Sequence, residues 1–131
     1  MAEQMTESRN SVQWIRHALR TGDEAVRWEA ADQAGILITT RPEVAWALVV
    51  EFGRSKNADV RAAIATCVLE HLLEHEFDEY FTRLEAELAT EDPELEDTFT
   101  LCWKFGVAEY GDRMRRWQKL RRMIEKRRTN S

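Results

Sequence analysis

Asn57-Ala58-Asp59-Val60-Arg61-Ala62-Ala63-Ile64 opens a stretch in which apolar residues return at Val60, Ile64, Val68 and Leu72. A spacing of four places them on one face of a helix. Asn57 carries a side chain that can accept hydrogen bonds from the free N–H groups of a helix start. Thirty-four residues earlier stands Asp23-Glu24-Ala25-Val26-Arg27, continued by Ala30, Ala34 and Ile38. Thirty-five residues later stands Asp92-Pro93-Glu94-Leu95-Glu96, continued by Phe99, Trp103 and Val107. Pro93 falls at the first helical position, where its missing N–H costs nothing. Three caps in one register, each followed by an equivalent apolar stripe, indicate an internal repeat.

A second amphipathic segment precedes each of these helices: Val12/Ile15/Leu19, then Ala45/Leu48/Val49/Phe52, then Phe81/Leu84/Leu88. Gly22 and Gly53 sit near the ends of the first two. Thr40-Arg41-Pro42-Glu43 reads as a capping box, in which Thr40 and Glu43 would each cover the other's free donor. Adding 36 to Phe81, Leu84 and Leu88 gives Trp117, Leu120 and Ile124. Residues 113–128 therefore read as the first helix of a further unit, with the apolar and charged faces that suit a cap.

At these positions the chain resembles a known family. Ile15-Arg16-His17-Ala18-Leu19, Ala25-Val26-Arg27 and Glu29-Ala30-Ala31-Asp32-Gln33-Ala34-Gly35-Ile36-Leu37 look like a HEAT repeat, closest to the short bacterial type of phycobilisome lyases. Val60-Arg61-Ala62-Ala63-Ile64 matches in the second unit. The third keeps the apolar spacing but has Glu96 where the family usually has a basic residue. The resemblance implies an all-α fold: an α-solenoid of about three HEAT-like hairpins and a C-terminal capping helix. Residues 1–131 would form one domain, with repeats at about 8–39, 40–75 and 77–109 and the cap at 113–128.

Composition agrees with a helical domain. Hydrophobic residues at 44% can fill a core, and two Pro with five Gly specify few turns, against a β-meander. No run approaches the roughly eighteen apolar residues of a membrane span, and Met1-Ala2-Glu3-Gln4-Met5 does not resemble a secretory signal. Cys67 and Cys102 fall one repeat apart, where helices lie about 10 Å from each other, too far for a disulfide. Reduced core cysteines and a cytoplasmic setting are expected. The net charge of −5 hides a division: residues 112–131 carry nine Lys/Arg against Asp112 and Glu125, or +7, which leaves −12 for residues 1–111.

Candidate chemistry is sparse. His71-Leu72-Leu73-Glu74-His75 has the spacing of inverted zinc metallopeptidases, but it falls at a helix C-terminus, where histidine gains from the helix dipole without a metal. Carboxylates are numerous, yet catalytic pairs need burial to separate their pKa values. No glycine-rich phosphate loop or dinucleotide fingerprint is present, so neither cofactor nor metal is expected. Trp28, whose equivalents are Ala62 and Asp97, is not at a core position. It either packs against the N-terminal tail or serves as a binding anchor.

The expected function is therefore binding of another protein, as an adaptor, inhibitor or immunity-type neutraliser. HEAT-like proteins commonly bind on the second-helix surface, and the residues left outside by the core pattern there include Arg27, Glu29, Asp32, Arg61, Glu70, Glu96, Asp97 and Lys104, with Trp28 beside them. The alternative is nucleic-acid binding through a basic patch of Arg113, Arg115, Arg116, Lys119, Arg121 and Arg122. The resemblance also admits a DNA-processing enzyme, since some HEAT-like stacks are alkylpurine DNA glycosylases, but no active site can be assembled from this sequence.

Overall fold

The computed structural model describes residues 11–102 and 111–130, and the regular elements among them are all helical. α1 spans Val12–Thr21, α2 Glu24–Ile36 and α3 Pro42–Phe52. α4 is built from Ala58–Ile64, a π-helical turn at Ala65–Leu69, and Glu70–His75. α5 spans Phe77–Leu88, α6 Pro93–Thr100 and α7 Gly111–Asn130. The N-terminal tail, Trp103, Lys104 and Val107 lie outside the described residues. None of the helices described is long and apolar enough to cross a membrane.

The helix starts follow the cap chemistry. Asp23 accepts from the Val26 N–H, Asn57 from those of Asp59 and Val60, and Asp92 from those of Glu94 and Leu95. Each bond covers a donor that has no partner within its own helix. Gly22 and Gly53 end α1 and α3. The expected capping box at Thr40 and Glu43 does not form. Arg41 is the N-cap of α3 and makes no side-chain cap bond, while the Glu43 carboxylate accepts from Tyr80 Oη at 3.0 Å and Arg83 Nη1 at 2.6 Å. Two donors on α5 outcompete a local backbone N–H.

Alternate helices along the chain contact one another. α2 touches α4, and α4 touches α6. Likewise, α1 is tied to α3 through Arg16 and Glu51, α3 to α5 through Glu43, and α5 packs against α7. Ile15 and Leu19 of α1, Leu48 and Phe52 of α3, Ile64 and Val68 of α4, Phe81 and Leu84 of α5 and Phe99 of α6 are all buried in one apolar core. Trp117, Leu120 and Ile124 of α7 join it, as their spacing predicted. The Trp117 ring lies 5.1 Å from that of Phe99 and 6.0 Å from that of Phe81, so it fills the space between α5 and α6. Burial of a side chain of this size is worth about 3–5 kcal/mol when judged by its removal.

Two carboxylates depart from the expected pattern. Glu70 and Glu96, expected outside, are 4% and 5% exposed. The π-helical turn widens α4 just before Glu70, so that Leu69, Glu70 and Leu73 turn inward together with Val68 and Leu72. Glu96 is drawn inward by Arg127 of α7. Close approach of two backbones marks the same π turn: a Cβ on Gly35 would stand 2.5 Å from the Cys67 carbonyl oxygen. Only glycine fits there without moving one helix.

Candidate interaction surfaces

α2, α4 and α6 carry most of the residues singled out for partner binding, and Arg27, Trp28, Arg61 and Asp97 among them are engaged in bonds between these helices. Arg27 donates through Nη2 to Asp59 Oδ2 at 2.9 Å and through Nη1 to the Gly22 carbonyl at 2.8 Å. Trp28 Nε1 donates to the other oxygen of Asp59 at 3.0 Å. The Trp28 and Arg27 donors together hold the Asp59 carboxyl below its ordinary pKa. On α4, Arg61 makes a similar pair of bonds, with Nε on Asp97 at 2.9 Å and Nη1 on the Ser55 carbonyl at 2.9 Å. The side chains of Arg27 and Arg61 are only 17% and 15% exposed. In this structure they join α2 to α4 and α4 to α6. Trp28 shares that role, which neither sequence-based alternative included.

What stays open on this surface is a groove of about 370 Å³ between α2 and the π turn of α4. Asp32, Gly35, Ile36, Thr66, Cys67 and His71 line it. Ile36, the last residue of α2, is 61% exposed. Leu101, just past the end of α6, is the other large apolar side chain exposed at a second-helix terminus among the described residues. Burial, followed by hydrogen bonding to Asp32, pushes the Cys67 thiol up to about 12. A thiol so shifted is protonated at neutral pH and is a poor nucleophile. Cys102 is buried, its Sγ directed at the Ala65 and Thr98 carbonyls, and both cysteines are free.

The basic helix divides its charges between two faces. Arg116 pairs with Glu85 at 2.6 Å, bonds Thr82, and lies over the Phe77 and Phe81 rings. Arg113 reaches Asp78 at 3.4 Å and also lies over Phe77. Arg127, absent from the expected patch, bonds Glu96 and the Leu88 carbonyl. Arg116 thus covers the edge of the apolar stripe, a site suited to a planar guanidinium. Arg115 pairs with Asp112 on its own helix. Lys119 and Arg122 are exposed and have no ion-pair partner among the described residues, whereas Arg121 is half-buried on another side of the helix.

His71, Glu74 and His75 are exposed at the end of α4, with His71 Nδ1 3.9 Å from Glu74. No three His, Cys, Asp or Glu side chains among the described residues converge as metal ligands would. The acidic halves of the inter-helix bonds, Glu43, Glu51, Asp59 and Glu96, were not recognised from sequence in that role. A signal existed: Arg16–Glu51, Arg27–Asp59, Arg61–Asp97, Arg83–Glu43, Arg116–Glu85 and Arg127–Glu96 are separated by 31 to 40 residues, about one repeat.

No protein-family model, no curated protein and no solved structure matches this chain.

Proposed function

We propose that this chain is a non-catalytic protein-binding module, a HEAT-like α-solenoid of three hairpins capped by α7, which takes its partner in the groove between α2 and α4. The carrying observation is Ile36, 61% exposed beside the hydrogen-bonding groups of Asp32, Thr66 and His71. An apolar anchor flanked by polar groups is the composition of an interface centre, and burying an isoleucine is worth about 1.5–3 kcal/mol. The solenoid reading is supported by bonds that reach one unit along the chain, as expected when each repeat contacts its neighbours. The protonated Cys67 thiol supports binding over chemistry in this groove, and two free thiols fit a cytoplasmic setting.

Capture from the native host with the full chain, then titration of the purified partner, tests the proposal. Ile36→Lys replaces an exposed side chain, so its stability should stay within about 0.5 kcal/mol of the parent. Its affinity should fall tenfold or more, roughly 1.4 kcal/mol. A partner bound equally well by parent and variant would place the interface elsewhere.

A further inference from the structure

We infer that α7 carries a second docking surface, separate from the α2/α4 groove and independent of it, for an acidic protein segment that bears an apolar side chain. Arg115, Lys119, Arg122 and Lys126 follow one another by four, three and four residues and so share one line on the helix. All four are exposed. At about 1.5 Å per residue they extend over about 16 Å, three turns of a partner helix or five residues of an extended one. Lys119, Arg122 and Lys126 have no ion-pair partner among the described residues, while Arg113, Arg116 and Arg127 on the other side are held by carboxylates of α5 and α6 and of the turn between them. The cationic line faces away from the three arginines that the body has neutralised.

Beside this line runs a groove of about 320 Å³ between α5 and α7, walled by Ala89, Leu120 and Met123 and edged by Glu85, Lys119 and Arg127. Met123 is among the exposed large apolar side chains. Glu85 is neutralised by Arg116 and Arg127 by Glu96, so Lys119 is the rim charge left for a ligand. This combination selects the occupant. A nucleic-acid strand could use the cations but gains nothing from an apolar slot without an aromatic platform. An acidic segment places carboxylates along the line and one Leu- or Met-like side chain in the slot.

The test uses the full chain and fluorescence anisotropy with four probes. These are an acidic amphipathic peptide with carboxylates at i, i+4 and i+7 beside a leucine, the same peptide with alanine for leucine, its lysine-substituted counterpart, and a single-stranded oligonucleotide of equal charge. The acidic amphipathic peptide should bind at least tenfold more tightly than each of the other three. Its binding should fall at least tenfold in Lys119→Glu/Arg122→Glu and, separately, in Met123→Glu, both checked for an unchanged helical melt. Ile36→Lys should leave it unchanged, which separates failure here from failure of the α2/α4 groove. Equal or tighter binding of the oligonucleotide would overturn the proposal in favour of a phosphate-binding helix. Peptide binding unaffected by either α7 variant, or absent in the parent, would overturn it outright.

Discussion

Arg127 Nη1 donates to Glu96 Oε2 across 2.9 Å, and the Glu96 side chain is only 6% exposed. Through this pair the helix with the strongest positive charge is fastened to α6, the helix whose Phe99 packs on Trp117. Arg127 also bonds the Leu88 carbonyl and reaches Glu91 at 3.4 Å.

Removing one partner of this pair should cost more than removing both. Arg127→Leu strands a buried carboxylate and should destabilise by about 3 kcal/mol. Glu96→Leu with Arg127→Leu should restore about half of that loss. A double-mutant cycle by urea denaturation measures the coupling; strictly additive effects would show that the pair does not fasten α7.

Gly35→Ala tests the close approach at the π turn. On helix propensity alone alanine should stabilise α2 by about 1 kcal/mol. The 2.5 Å contact with the Cys67 carbonyl should reverse the sign, giving a net loss of about 1–3 kcal/mol. A stabilised variant in chemical denaturation would mean that α2 and the π turn are not in such contact.

The Asp59 bonds predict a pH effect of definite sign. Trp28 and Arg27 hold the folded-state pKa of Asp59 below its ordinary value of 3.8. Its contribution is therefore full above that value and is lost as pH falls through the depressed folded pKa. The parent should lose stability faster than Asp59→Asn over that acid range. Parallel stability curves for the two proteins would contradict the bonding seen here.

Cys67 should be slow to alkylate. At pH 8 a thiol pushed up to about 12 holds on the order of a thousandfold less thiolate than an ordinary cysteine. Cys102, being buried, should react only on unfolding. Rapid labelling of the folded protein at Cys67, followed by mass spectrometry, would refute this.

The helices were legible because they are local. Asp23, Asn57 and Asp92 act within three residues, and stripes such as Val60, Ile64, Val68 and Leu72 repeat every helical turn. The surface was less legible, because charge was read as exposure. Arg27, Arg61, Glu70 and Glu96 are polar residues that the apolar spacing leaves outside, yet each meets a neighbouring helix or turns inward. Glu43 failed as a cap for the same reason, since its stronger partners stand 37 and 40 residues away. The groove at Ile36 depends on a π turn that nothing in Ala65-Thr66-Cys67-Val68-Leu69 announces. Lys104 lies outside the described residues, so its expected place on the binding surface has no counterpart here.

Amide hydrogen exchange of the full chain, with and without its captured partner, locates the partner on the surface. Binding in the α2/α4 groove should add protection in the last turn of α2, around Asp32 to Ile36, and in α4 from Thr66 to His71. Protection confined to α1, α3 and α5, with the α2/α4 groove exchanging as in the free protein, would contradict it.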